Sequence, residues 1–237
     1  MKHHREFFLS RSAIVFASIA VAIFTSAPIL AQQKPIVIEP NAIGAAATKA
    51  ISVISKPGSY SLSRNIVNGR AGFDSVLVTA SDVTIDLMGL SIISTSTTGA
   101  GINATGQSNV VIRDGIITGC GGPAIIAGNN ANISGITASA NSSAAGAGAS
   151  IQAGNGSQIV SNTVTGSGAG GISCGVGCFV RNNVVQLNTG VGISFDDDTG
   201  GYLSNLLQNN DGNSAGTTGQ VSGGASLGQN LCNGVTC

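Results

Sequence analysis

Three consecutive carboxylates, Asp196, Asp197 and Asp198, form the only acidic cluster in this sequence. The corresponding turns of the preceding sequence units are neutral, which sets the triplet apart. Carboxylate oxygens in a turn suit Ca²⁺, and a carboxylate pair can act as acid and base in glycoside hydrolysis. The plainest interpretation is a solvated turn whose charge opposes end-to-end aggregation. The sequence alone leaves all three interpretations open.

Five cysteines are the next residues with chemistry of their own. Cys174 and Cys178 are close enough in sequence to form a local disulfide, as are Cys232 and Cys237, and Cys120 is left over. In an exported chain such pairs are expected to be oxidised. Two alternatives remain open. The first pair could be buried free thiols, or the cysteines could hold zinc, which their irregular spacing disfavours.

Residues 1–31 are predicted to be a secretory signal peptide, and the alternative is an anchor that is retained. Lys2, Arg5 and Arg11 form a positive region, and the apolar run of residues 13–24 is too short to span a membrane comfortably. Both histidines of the chain lie in this segment, so the mature protein would have no Ser-His-Asp triad. We therefore predict a secreted, periplasmic or cell-surface protein without a membrane span after cleavage.

Charge and composition argue against nucleic acid as a partner. The formal net charge is 0, only 8% of residues are charged, and no run of Lys and Arg is present, whereas nucleic-acid-binding domains carry a basic patch. The 35 glycines occur with many Val, Ile, Thr, Ser and Asn residues. That composition favours many short strands joined by tight turns.

The segments that carry these residues repeat every 20 to 27 residues. One apolar position recurs in a first strand at Ile85, Ile112, Ile133, Val160, Val180 and Leu203. A second recurs in another strand at Ile102, Ile125, Ile151, Ile172 and Ile193. So short a period leaves no room for helices between parallel strands. Each repeat is therefore predicted to be one coil of a solenoid.

Alternation of side chains along a strand assigns them to the two faces of the sheet. Asp86 and Arg113 are predicted to point outward in adjacent coils and to form an ion pair. Asn162, Asn182 and Asn205 are predicted to point inward in consecutive coils. There they would form a ladder of amides, each bonded to the coils above and below. The alternative for these amides is a role as ligand donors.

The unit Gly-Asn-Gly-Ser-x-Ile-Val-x-Asn-x-Val, followed by Gly-Gly-Ile-Ser, resembles the right-handed parallel β-helix repeats of the pectate-lyase-like superfamily. Segments 83–90 and 221–232 are similar to those of small secreted bacterial proteins of this class. The resemblance covers about residues 55–237. It implies an all-β fold, a single-stranded right-handed parallel β-helix (solenoid) of about six short coils with N- and C-terminal caps.

The predicted organisation follows from the repeats and from this resemblance. The signal peptide of residues 1–31 precedes a leader of residues 32–50, and one β-helix domain occupies residues 51–237. Within that domain, an N-terminal cap is expected at 51–74, the coils at 75–210 and a C-terminal cap at 211–237.

The resemblance implies the fold but leaves the activity open, because β-helices serve lyases, hydrolases, epimerases, adhesins and surface proteins alike. Of the polygalacturonase motifs, only the Asp-Asp pair has a counterpart, in Asp196 and Asp197, while Gly-His-Gly and Arg-Ile-Lys are absent. Pectate lyases combine calcium-binding Asp residues with an Arg base. By that resemblance Asp196, Asp197 and Asp198 are the candidate calcium ligands, and Asp197 and Arg181 are the catalytic candidates.

The favoured function is an exported, non-catalytic scaffold that presents a Ser/Thr/Asn-rich face to extracellular polysaccharide at the cell surface. The alternative is a calcium-dependent polysaccharide lyase or a related carbohydrate-active enzyme. An ice-binding or adhesin surface ranks lower, because the run Thr95-Ser96-Thr97-Thr98 does not recur in register.

Overall fold

The computed structural model describes residues 36–38, 49–144, 146–211, 217 and 219–237. The predicted signal peptide and most of the predicted leader lie outside these ranges. Within them, every regular element is a strand, numbered β1 to β24 in chain order. The strands build eight successive coils, each made of three short strands that stack in parallel on the next coil. The predicted all-β right-handed parallel β-helix is confirmed.

The first strands of the eight coils form one sheet, and its outer surface is called the first face. They are β2 Ala50–Ile54, β5 Asp74–Val78, β8 Ile102–Ala104, β10 Ile125–Ala127, β12 Ile151–Ala153, β15 Ile172–Cys174, β18 Ile193–Phe195 and β21 Val221–Ser222.

The second and third strands form another sheet that turns a corner, and their outer surfaces are called the second and third faces. Second strands are β3 Gly58–Leu62, β6 Val83–Asp86, β13 Gln158–Val160, β16 Phe179–Arg181, β19 Gly201–Leu203 and β22 Ala225–Ser226. Third strands are β4 Ile66–Asn68, β7 Ser91–Ser94, β14 Thr163–Thr165, β17 Val184–Gln186, β20 Leu206–Gln208 and β23 Leu231–Cys232. Two longer strands, β9 Val111–Thr118 and β11 Asn132–Ser139, supply both positions of their coils.

The structure has eight coils rather than about six because both predicted caps contain complete coils. Residues 51–74 include β3 and β4, and residues 211–237 include β21, β22 and β23. Among the described residues, a single strand lies at each end of the stack. The first, β1 Ile36–Ile38, lies in the predicted leader and pairs with β3. The last, β24 Val235–Thr236, folds back antiparallel on β23.

Stacked rows of apolar side chains fill the core. The row predicted from the first strands is confirmed. Ile102, Ile125, Ile151, Ile172 and Ile193 are partners in register and fully buried. Since neighbouring strands lie about 4.8 Å apart, each side chain packs directly on the equivalent one in the next coil.

The predicted row of the second strands is wrong at two coils by one residue. The inward residues there are Ile159 and Tyr202, whereas Val160 and Leu203 point outward beside Arg181. Both positions belong to apolar pairs, Ile159-Val160 and Tyr202-Leu203. Strand alternation alone cannot decide which member faces the core, and a shift of one residue reverses every side chain.

In five consecutive coils, from that of β9 to that of β20, a residue with left-handed backbone makes the corner between the second and the third strand. The column consists of Asp114, Gly135, Ser161, Asn182 and Ser204, with φ between 54° and 64°. Short polar residues and glycine adopt this conformation more readily than β-branched ones. Asn182 is therefore an exposed corner residue, and its predicted place in the ladder is wrong.

The ladder itself exists, with Asn183 in place of Asn182. Asn162, Asn183, Asn205 and Asn230 are buried in successive coils. The backbone N–H and the Nδ2 of Asn162 both donate to Asn183 Oδ1, at 2.9 and 3.0 Å. The same pair of bonds joins Asn183 to Asn205 and Asn205 to Asn230. Each Nδ2 also reaches a carbonyl of the preceding coil, as from Asn183 to Ile159 O at 2.9 Å.

In the earlier coils the same column becomes apolar, with Leu87, Gly115 and Ile136 in place of asparagine. Gly115 lies beneath Leu87, and a Cβ added there would come within 2.3 Å of Leu87 Cβ. The column therefore has one polar and one apolar section, and the glycine at 115 allows its coil to pack closely against Leu87.

Replacement of Asn183 tests this register directly. Asn183→Ala should lower the free energy of unfolding by about 1–3 kcal/mol, because buried donors and acceptors of both adjacent coils lose their partner. Asn182→Gly, one residue away at the exposed corner, should change it by less than about 0.5 kcal/mol. Urea unfolding of the two variants beside the wild type measures both. Equal destabilisation by the two variants would contradict the observed register.

Candidate functional site

The acidic triplet lies in the turn between β18 and β19. Asp197 accepts hydrogen bonds from the backbone N–H of Thr199 at 3.0 Å and from Thr199 Oγ1 at 2.8 Å. Thr199 Oγ1 in turn accepts from the backbone N–H of Gly177 in the preceding coil, at 3.0 Å. The Asp197 carboxylate thus organises its own turn and, through Thr199, ties that turn to the coil below.

The triplet does not form a metal-binding cluster in the described part of the chain. No group of three or more His, Cys, Asp or Glu side chains among the described residues is placed to hold a metal ion. Asp196 and Asp198 are exposed at the turn, and Asp197 is engaged by Thr199. The carboxylates that the sequence places side by side therefore do not converge on one point.

Arg181 lies on the second face at the end of β16. Its strand partners are Val160 and Leu203, and its guanidinium lies 5.9 Å from the centre of the Phe179 ring. Within the described ranges, both ion pairs are made by Arg113, with Asp86 at 2.8 Å and Asp114 at 3.9 Å. The predicted Asp86–Arg113 pair is present. An ion pair between Arg181 and the acidic triplet is not among those the described residues form.

Two disulfides join the local cysteine pairs. Cys174 and Cys178 close the turn between β15 and β16, with 6.1 Å between their α-carbons. Cys232 and Cys237 close the terminal hairpin of β23 and β24, with 5.2 Å between their α-carbons. One disulfide therefore fixes an internal turn and the other fixes the last strand of the stack.

Cys120 is a buried free thiol at the start of a second polar column. Its backbone N–H donates to Asn141 Oδ1 at 3.0 Å. The column continues with buried amides that were not predicted from the sequence. Asn188 Oδ1 accepts a hydrogen bond from the backbone N–H of Ser167, and Asn210 Oδ1 accepts one from Asn188 Nδ2 at 2.8 Å. Burial raises the pKa of the Cys120 thiol to about 12, with a lowering contribution from Ser94 and a raising one from Asp74.

The middle coils have an uncharged surface. Residues 115–180 contain no Asp, Glu, Lys, Arg or His. They supply two complete coils, β10 with β11 and β12 with β13 and β14, and also the end of β9 before them and β15 after them. These two coils therefore have uncharged surfaces on all faces. A charge count over the whole chain does not reveal this block, although it is present in the order of the residues.

Parallel coils with three faces, a filled core and internal amide ladders define a right-handed β-solenoid protein. The family described as right-handed beta helix region matches residues 52–211, more than half of the chain. The chain therefore belongs to the right-handed β-helix family. No curated protein and no solved structure matches the chain. Among the described residues, none forms a helix long and apolar enough to cross a membrane.

The hydrogen bonds of Asp197 predict that its acceptor oxygen contributes to the stability of the fold, whereas its negative charge does not. Asp197→Asn keeps the Oδ1 acceptor and should leave the unfolding midpoint in EDTA nearly unchanged. Asp197→Ala removes the acceptor and should reduce the free energy of unfolding by about 0.5–1.5 kcal/mol. If calcium raises the wild-type midpoint but not that of Asp197→Asn, the carboxylate binds metal and the structural role assigned here is insufficient.

The raised pKa of Cys120 predicts a loss of stability at high pH. The unfolded chain releases the thiol proton near pH 9.0, whereas the folded chain holds it to about pH 12. This stabilising contribution is complete below pH 9 and declines above it by about 1.4 kcal/mol per pH unit. The free energy of unfolding should therefore fall more steeply between pH 9 and 10.5 in the wild type than in Cys120→Ala. Parallel slopes would show that the thiol is ionised equally in both states.

Proposed function

We propose that the protein is an exported, non-catalytic β-helix scaffold that binds neutral polysaccharide outside the cytoplasm. The observation that carries the proposal is the uncharged surface of residues 115–180. Ser, Thr, Asn and Gln side chains both donate and accept hydrogen bonds, as sugar hydroxyls do. Recognition of carboxylates or phosphates instead favours Arg and Lys, which the middle coils lack.

Export is supported by the cysteines. Two disulfides in one small domain fit an oxidising compartment, since reducing compartments keep such pairs as thiols. The disulfides close a turn and the terminal hairpin. The predicted signal peptide agrees with the same location.

The lyase alternative requires groups that act together. Its candidate ligands, Asp196, Asp197 and Asp198, form a turn, and its candidate base, Arg181, pairs with Val160 and Leu203 on another part of the coil. These observations favour the binding scaffold over the enzyme.

Cosedimentation with insoluble polysaccharides tests the proposed function. The protein without residues 1–31 should pellet with cellulose or another neutral polymer, and the bound fraction should change little between low and high salt, because no charge pair is involved. Polygalacturonate gel should retain much less. Preferential binding to polygalacturonate, or release of unsaturated products from it in the presence of calcium, would overturn the proposal in favour of the lyase.

A further inference from the structure

The third face presents two rows of outward side chains that run in register along the solenoid. The first row is Ser91, Ile116, Thr137, Thr163, Val184, Leu206 and Leu231. The second row is Val67, Ile93, Thr118, Ser139, Thr165, Gln186 and Gln208. Each row passes through seven coils, and at about 4.8 Å per coil it is roughly 29 Å long.

Neither row contains a charged or an aromatic residue. Hydroxyls occupy the middle: Thr118, Thr137, Ser139, Thr163 and Thr165. Ser139 Oγ donates to Thr118 Oγ1 at 3.0 Å, so these hydroxyls are close enough to act together. Apolar side chains occupy both ends and are between 38% and 71% exposed: Val67, Ile93, Ile116, Leu206 and Leu231.

The other two faces differ from the third. The second face carries Asp86, Arg113 and Arg181 in one outward row. The first face has mostly three-residue strands, each with a single outward side chain, as at Gln152 and Ser173. Only the third face therefore combines, over the described residues, two outward rows with the absence of charge.

The size and chemistry of the third face argue against a second protein. With two rows that are each about 7 Å wide and roughly 29 Å long, its area is roughly 400 Å², which is about half of the ~800 Å² per partner that stable protein pairs bury. It also lacks the Trp, Tyr and Arg residues that anchor most protein interfaces. A long, narrow, uncharged strip instead fits one extended chain of repeating neutral units.

We propose that the third face binds an extended neutral polysaccharide, with the chain lying along the solenoid axis. The proposal rests on the function proposed above and assigns it to one face. The central hydroxyls and the two glutamines bond the sugar hydroxyls, and the exposed Val, Ile and Leu side chains cover the apolar C–H surfaces of the rings. Many weak contacts repeated along one polymer give binding through avidity.

Paired substitutions on two faces test this assignment. Thr137→Lys with Thr163→Lys places two bulky charges in adjacent coils of the third face, and Gln152→Lys with Ser173→Lys does the same on the first face. All variants are compared by circular dichroism and then by cosedimentation with cellulose, an extended β-linked glucan. The third-face variant should bind at least tenfold more weakly than the wild type, while the first-face variant should bind like the wild type.

A milder pair, Thr137→Ala with Thr163→Ala, keeps the test valid if the lysines prevent folding, and it should also weaken binding. Starch granules, whose α-linked chains coil, should retain the wild type less than cellulose does. If the wild type binds cellulose and the third-face variants bind it equally well, the assignment of the binding site to the third face is wrong, while the proposed function stands. Equal loss in both lysine variants, or preference for starch, also overturns this assignment. Failure of the wild type to bind any neutral polymer overturns the proposed function itself.

Discussion

The in-register stacking of parallel strands is the constraint on which the rest of the structure depends. Each coil donates and accepts its backbone hydrogen bonds with the coils above and below, so equivalent side chains must pack directly on one another. Like therefore stacks on like: isoleucine on isoleucine in the rows of the first strands, amide on amide at the corner. The buried asparagines of the ladder receive their hydrogen-bond partners from the adjacent coils, as Asn183 does from Asn162 and Asn205.

The same constraint explains why so few charges are present. A charge that recurred at one position of every coil would be placed about 4.8 Å from its copies, and like charges at that distance repel. Oppositely charged neighbours avoid the problem, as Asp86 and Arg113 do. The middle coils avoid it by having no charge at all over residues 115–180. The stack then ends in single strands, β1 at one end and the disulfide-closed β24 at the other.

Several features could be predicted from the order of residues because they depend on local periodicity. The coil repeat, the isoleucine row of the first strands, the Asp86–Arg113 pair and the local cysteine pairs all follow from the spacing of residues along the chain. The register of the second strands could not be predicted at Ile159-Val160 or Tyr202-Leu203, where both neighbours are apolar. The terminal coils were also missed, because segments 51–74 and 211–237 depart from the central repeat.

The sequence by itself determined the class of fold, since a period of 20 to 27 residues with short alternating strands and glycine-rich turns admits a β-solenoid and little else. Tertiary structure decided what each polar residue does. Asn182 and Asn183 are identical side chains one residue apart, yet a left-handed φ of 57° places the first at an exposed corner, and stacking buries the second in the ladder. The acidic triplet is contiguous in sequence, but its carboxylates are not placed as a group that could hold a metal ion. Whether neighbouring side chains point toward one site depends on the direction of the backbone, which the residue types alone do not specify.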